Sequence, residues 1–201
     1  MKVTYQEALS LAKQHQACEE ALRELEQLES WNQFFAHPCA PEWSYWYAQC
    51  VLRGRWPEAE PIIATDPRVA CSYAITIVKN RWPEAEPTIA SSPPCAYTYA
   101  KYVIQDRWPE AEPTIATNPI WACDYAQCMI RGRWPEAEPV IRKDPMEAYL
   151  YARNVMRGRW PDAEPVIAQD HSIWRKYWEF VNGRYRRHSW TVLRVRSGHR
   201  P

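Results

Sequence analysis

Arginine, tryptophan and a pair of carboxylates recur together every 26 residues. The heptapeptide Arg55-Trp56-Pro57-Glu58-Ala59-Glu60-Pro61 returns from Arg81, Arg107 and Arg133, and Arg159 opens a fifth copy that differs only at Asp162. Guanidinium and carboxylate groups at a fixed repeat could stack into ladders that grip a charged, repetitive partner. The same residues also have a structural use. Each Trp can wedge between units, each Arg can stack on or bridge a neighbour, and each Glu can offset the positive end of a helix. Near-identity of the copies favours the structural use. A side chain that must fit one packing slot five times has little freedom, whereas ligand-reading positions differ between copies.

Other reactive types are thinly spread. His37 and Cys39 are close, but no second paired cluster accompanies them, and His15, His171, His188 and His199 are scattered. With only five glycines there is no phosphate-cradling loop. A Glu in each unit makes no catalytic dyad without a nucleophile, an asymmetric environment or a metal. The sequence therefore predicts no enzyme and assigns no catalytic, cofactor-binding or metal residues.

Variation between copies is where binding chemistry is expected. One column runs Trp46, Ser72, Thr98, Asp124, Leu150. Two others run Gln49, Ile75, Lys101, Gln127, Arg153 and Cys50, Thr76, Tyr102, Cys128, Asn154. Spaced i, i+3, i+4, these positions share one helix face. The expected partner-binding residues are Trp46, Gln49, Ile75, Thr98, Lys101, Tyr102, Asp124, Gln127, Leu150 and Arg153. The rival is a solvated face that drifts freely, and the several apolar residues on it weigh against drift.

A second candidate lies at the C-terminal end. The net charge is +1, yet residues 171–201 carry eight Lys and Arg against the single acid Glu179. Arg184, Arg186, Arg187, Arg194 and Arg196, with Trp190 among them, could neutralise phosphates and stack bases. The competing role is a solubilising cap that balances the acidic repeats, and no nucleic-acid motif accompanies the charge.

These side chains need elements to hold them. A period of 26 residues implies stacked units that bury their apolar faces against each other. In the unit from Trp56, Pro57 suits a first helical position, while Pro61 cannot donate and predicts a short helix that kinks or restarts there. The second helix follows the N-cap column Asp66, Ser92, Asn118, Asp144, Asp170, with proline next in all but the last. Val69, Ala70, Tyr73, Ala74, Ile77 and Val78 trace one apolar stripe. The column Gly54, Asn80, Asp106, Gly132, Gly158 predicts a left-handed stop. No alternating strand pattern supports the leucine-rich alternative.

The fold class is thus all-α, an α-solenoid of about five 26-residue helical hairpins with atypical caps. Residues 1–40 form the N-terminal cap, 41–170 the repeats and 171–201 a basic cap and tail. Residues 4–29 predict one long or two shorter helices, with Leu22, Leu25 and Leu28 inward. Residues 171–185 predict a last second helix, and Trp190–Arg196 a strand-like or extended segment. Seven cysteines without a Cys-x-x-Cys, a signal peptide or a membrane span predict a soluble protein of a reducing compartment.

The Arg-Trp-Pro-Glu-Ala-Glu-Pro units, with the following Tyr-Ala and Gly-Arg-Trp, resemble short tandem repeats in proteins of tailed bacteriophages and related bacteria. The match covers residues 41–170, roughly two-thirds of the chain. The unit is also similar to other helical-hairpin solenoids such as the tetratricopeptide class. The resemblance brings no catalytic residues and no cofactor. It implies a cytoplasmic binding module, in a bacterial or phage-infected cell, that holds a protein partner. Nucleic acid is the alternative partner, and neither a membrane nor a small-molecule substrate is expected.

Overall fold

The computed structural model describes the backbone of residues 3–196 and the side chains of residues 3–183. The chain is an all-α solenoid with no strand among the described residues. It divides into two compact units, Met1–Thr114 and Ile115–Pro201.

The first unit begins with two helices, α1 (Tyr5–Gln14) and α2 (Glu19–Leu25), followed by α3 (Trp31–Ala36). The start of α1 is fixed by a reciprocal cap, in which Glu7 N–H donates to Thr4 Oγ1 and Thr4 N–H donates to the Glu7 carboxylate. Its end is set by Gln16 in the left-handed region, φ 59°. That turn separates α1 from α2, so the shorter-helix alternative holds. Leu25 is buried, Leu22 and Leu28 are half-buried, and Glu19, Glu20, Glu24 and Glu26 face solvent.

Repeats follow as α4 (Ala40–Tyr47), α5 (Glu60–Ile63), α6 (Pro67–Tyr73), α7 (Glu86–Ala90), α8 (Pro93–Tyr99) and α9 (Glu112–Ile115). The second unit contains α10 (Pro119–Tyr125), α11 (Glu138–Ile141), α12 (Pro145–Tyr151), α13 (Glu164–Ile167) and α14 (His171–Arg196). The first helix of each hairpin is one turn long. Before it, the N–H groups of Ala59 and Glu60 both bond to Trp56 O, at 3.0 and 3.1 Å. The helix then restarts at Glu60 with Pro61 in its first turn, where a missing N–H leaves no bond unmade.

Second helices start from the predicted caps. Asp66 accepts from Val69 N–H, Asn118 from Ile120 and Trp121, Asp144 from Met146 and Glu147, and Asp170 from Ser172 and Ile173. Ser92 occupies the cap position but makes no such bond. Pro94, which this copy alone has at the second helical position, removes one of the two amides it could have served.

The helix ends correct the sequence reading. The second helices α4, α6, α8, α10 and α12 each widen to a π-turn of five residues, at Ala48–Leu52, Ala74–Val78, Ala100–Ile104, Ala126–Ile130 and Ala152–Met156. Lys79 N–H closes one such turn on Ala74 O at 2.7 Å, five residues back. The residue that makes this closing bond is the left-handed one. Arg53, Lys79, Gln105, Arg131 and Arg157 have φ between 53° and 60°, one position before the expected column, and no described glycine has positive φ. Asn80 and Asp106 act differently from a left-handed stop. They accept the N–H of Arg81 and Arg107 at 2.8 and 2.7 Å.

Each unit has its own core of recurring columns. Trp56, Ala59, Ile63, Ala70, Tyr73 and Ala74 are each 2% exposed or less. Their counterparts are buried alike in the copies of both units, so every repeat removes one indole, one phenol ring and one isoleucine from water. Second helices pack side by side, α4 on α6 on α8 in the first unit and α10 on α12 on α14 in the second.

One further expectation fails. The segment Trp190–Arg196 is neither strand-like nor extended, because α14 runs unbroken to Arg196. Between Pro165 and Pro201 there is no proline to stop it. A helix already nucleated gains one hydrogen bond for each residue added, and Gly183 alone does not end it.

Candidate binding cleft

The most visible charges are consumed within the fold. Arg55 donates to Glu60 through two parallel bonds, Nε to Oε1 and Nη2 to Oε2, both 2.7 Å. The pairs Arg81–Glu86, Arg107–Glu112, Arg133–Glu138 and Arg159–Glu164 repeat this fork. Glu60 Oε1 also accepts from the hydroxyl of Tyr73 at 3.0 Å, and that hydroxyl accepts the Trp56 N–H at 2.8 Å. The same three-way bonding joins Glu86, Tyr99 and Trp82, then Glu138, Tyr151 and Trp134, and Glu164, Tyr177 and Trp160. The ring of Tyr73 meanwhile packs on Trp82 of the next copy, centroids 5.2 Å apart. The tyrosine thus stitches two repeats, and the structural use of the Arg-Trp-Glu columns explains their sameness. Asp162 replaces the outer, exposed carboxylate, while the pairing Glu164 is kept.

The electrostatics follow from this bonding. The Arg55 fork, helped by the Tyr73 hydroxyl, holds the Glu60 carboxyl below its usual range. Glu86, Glu138 and Glu164 are lowered by the same arrangement. Burial pushes the Tyr73 and Tyr177 hydroxyls up to about 12, with Glu60 and Glu164 adding to the rise.

The predicted variable face divides between the units. In the first, Gln49 and Tyr102 are exposed, and Trp46, Ile75, Thr98 and Lys101 are half-buried. The Thr98 hydroxyl is spent on Pro94 O at 2.7 Å, and Lys101 Nζ lies 5.4 Å from the ring centres of both Tyr97 and Tyr102. In the second, Asp124 and Leu150 are half-buried, and Gln127 and Arg153 are exposed.

Gln127 and Arg153 come together in a cleft of about 760 Å³ on the second unit. It lies between the π-turns Ala126–Ile130 and Ala152–Met156, which pack against each other. Arg131, Asn154 and Arg157 complete its polar lining, with Gly132 and Val155. Asn154 Nδ2 donates to Gln127 Oε1 at 3.0 Å, which fixes the two amides relative to each other. Arg153 Nη1 reaches the Tyr149 hydroxyl at 3.2 Å. Three guanidinium groups and two amides therefore converge, and no carboxylate lines the space. Such a surface is rich in donors and suits an anionic group, carboxylate or phosphate.

Sequence reasoning found Gln127 and Arg153 but missed Arg131 and Arg157. Both are the left-handed residues that close the π-turns, φ 57° and 53°. The available signal was the basic character of that column, Arg53, Lys79, Arg131 and Arg157, interrupted only by Gln105. Without the widened turn, its place beside the Gln127 column was not legible.

Near the other end, Glu24, His37 and Cys39 bring one ligand-type atom each within 4.8 Å of one another. His37 Nδ1 accepts the Cys39 N–H at 3.2 Å, which leaves the proton on Nε2, 3.6 Å from Glu24. The Cys39 thiol is raised by burial, with Glu24 the largest of the nearby charges.

The alternative nucleic-acid residues Arg184, Arg186, Arg187, Trp190, Arg194 and Arg196 have backbone in α14, but their side chains lie outside the described residues. No described helix is long and apolar enough to cross a membrane. No family model, no curated protein and no solved structure matches the chain.

Proposed function

We propose that this chain is a non-enzymatic binding module that holds a protein partner through the variable face of its second helices. The observation that carries the reading is the donor-rich cleft of the second unit, where Arg131, Arg153 and Arg157 meet Gln127 and Asn154. Its chemistry calls for an acidic stretch of the partner. An exposed ion pair contributes only about 0–1 kcal/mol, so no single arginine suffices. Several convergent donors on a packed pair of helices give the specificity that isolated surface charges lack.

The repeat fits this use. Its invariant residues are spent on packing, and its variable ones are exposed or half-buried, as in other helical-hairpin arrays that act by binding. The likeness of the Arg-Trp-Pro-Glu-Ala-Glu-Pro motif to phage and bacterial repeats extends the reading to a phage-encoded protein that engages a host protein in the cytoplasm.

The test compares the parent chain with a variant carrying Arg131→Glu, Arg153→Glu and Arg157→Glu, each used as bait in bacterial lysate with and without nuclease treatment. A protein captured by the parent and lost by the variant, with helicity unchanged, supports the reading. A partner retained by the variant sinks the cleft. Capture that disappears with nuclease treatment instead favours nucleic acid and the arginines of α14.

A further inference from the structure

Within the first unit, a carboxylate oxygen of Glu24, an imidazole nitrogen of His37 and the thiol sulfur of Cys39 lie within 4.8 Å of one another. Two segments supply them. Glu24 lies on α2, while His37 and Cys39 belong to the short turn between α3 and α4. The imidazole of His37 is held by stacking on Trp43, with centroids 4.3 Å apart and planes inclined by 17°. Its side chain keeps 25% exposure, so the ring is anchored yet reachable.

Charge singles out the same spot. Glu19 faces Arg23, Glu26 faces Lys13 and Glu42 faces Arg68, whereas Glu24 faces His37 and no Lys or Arg among the described residues. Beyond the effect of burial, the charges of Glu24, Glu42 and Glu20 raise the Cys39 thiol. Three carboxylates thus oppose its ionisation, and a divalent cation held between thiol and carboxylate would reverse that effect.

We infer that Glu24, His37 and Cys39 form a zinc site, in which the metal ties α2 to the turn leading into α4. The donor set chooses the metal. A thiolate, an imidazole and a carboxylate suit borderline-soft Zn²⁺, whereas Ca²⁺ and Mg²⁺ call for oxygen donors. Donors at zinc's bond lengths of about 2.0–2.3 Å, set in a tetrahedron, stand about 3.4–3.6 Å apart. Nε2 of His37 is already 3.6 Å from Oε2 of Glu24, and rotation of the exposed Cys39 side chain brings its sulfur in. Cys39 binds as the thiolate and releases its proton to solvent. At His37 the metal takes the lone pair of Nε2, and the ring carries its proton on Nδ1 instead. The Cys39 N–H, which donates to Nδ1 in the metal-free chain, turns to water at this exposed residue. Water fills the fourth position. The site is separate from the donor-rich cleft and does not depend on it.

The test is a spectroscopic titration of the reduced full chain with Co²⁺, which enters zinc sites and colours them. A thiolate-to-cobalt band in the near ultraviolet is expected, saturating at about one equivalent and erased by Zn²⁺. Cys39→Ser should remove the band with helicity unchanged, and Cys18→Ser should leave it as it was. Glu24→Gln and His37→Gln should each weaken binding by about 10–100-fold or more, since loss of an outer partner alone costs that much. Timed alkylation of the unaltered chain needs no variant: Zn²⁺ should slow Cys39 and leave Cys18 as fast as before. A band that survives Cys39→Ser or is lost in Cys18→Ser overturns the site. So does cobalt affinity unmoved by Glu24→Gln and His37→Gln, or alkylation of Cys39 indifferent to Zn²⁺.

Discussion

The hydroxyl of Tyr99 accepts the main-chain N–H of Trp82 at 2.7 Å, across 17 residues, and donates to Glu86 Oε1 at 3.0 Å. One oxygen thus satisfies the backbone at the point where a new repeat begins and orients the carboxylate that Arg81 grips. Tyr99→Phe keeps the ring on Trp108 but leaves the buried Trp82 amide without an acceptor, and should cost about 1–3 kcal/mol. Urea unfolding gives the cost, and hydrogen exchange at the Trp82 amide should quicken with it. In a double-mutant cycle with Glu86→Gln the two effects should fail to add by about 0.5 kcal/mol or more, since the groups share a bond. Additive effects would show that the network is geometry without energy.

The left-handed residues make a prediction opposite to the one the sequence suggests. Gln105 has φ 60° and carries a side chain, a conformation that costs a residue other than glycine about 1–2 kcal/mol. Gln105→Gly should therefore stabilise the chain, or at least cost nothing, despite the added freedom of the unfolded state. Gly132 lies outside the positive-φ region, and a Cβ there would meet nothing within 4 Å. Gly132→Ala should stabilise by about 0.4–1 kcal/mol through the unfolded chain. Melting midpoints of the two variants decide the matter. A large loss on Gly132→Ala would return the left-handed stop to the glycine column.

Much of the fold was legible because each repeat states the same signals five times. The caps Asp66, Asn118, Asp144 and Asp170 and the stripe from Val69 to Ala74 depend on local chemistry, which sequence spacing carries directly. The π-turns were not legible. Their sequences share a leading alanine and apolar fourth and fifth residues, a pattern equally at home in an α-helix. Missing them displaced the left-handed column by one residue and hid Arg131 and Arg157 from the cleft. Pairing within the motif was equally hidden. Of Glu58 and Glu60, the spacing does not say which one Arg55 holds, and the turn before α5 decides it. The cluster of Glu24, His37 and Cys39 was half hidden for another reason. His37 and Cys39 are close in sequence, but only the fold brings Glu24 to them.

Stability should fall off on both sides of neutrality, for different groups. Glu60, Glu86, Glu138 and Glu164 ionise more readily in the fold than in the unfolded chain, where Glu titrates at about 4.3. Their contribution is complete above that value and is lost as pH falls through the lowered folded range. Tyr73 and Tyr177 run the other way. With folded values near 12 against about 10 unfolded, their contribution is complete below pH about 10 and is lost as pH rises towards about 12. A melting profile against pH should be flat from the acid flank to about pH 8.5, where the raised Cys71 thiol begins to add to the alkaline flank. Glu86→Gln should shallow the acid flank most and the alkaline flank less, because Glu86 also raises Tyr99. A profile that slopes through neutral pH would contradict the assignment.

Thiol reactivity should separate the two units. Cys18 is exposed, whereas Cys71 and Cys123 are buried, one in each unit. Burial pushes the Cys71 thiol up to about 12, and burial followed by Glu147 raises Cys123 further. With a value near 12, roughly one Cys71 thiol in ten thousand is ionised at pH 8, and the thiolate is the nucleophile. Alkylation at Cys71 and Cys123 must therefore wait for local opening, while Cys18 reacts at once. Cys39, exposed but with a thiol raised by burial and by Glu24, should be slower than Cys18 and should quicken in Glu24→Gln. Peptide mapping after timed alkylation reads all four sites in one sample. A variant that weakens only the second unit, such as Tyr151→Phe, should speed Cys123 and leave Cys71 unchanged. Equal acceleration at both would mean that the repeats open as one cooperative body.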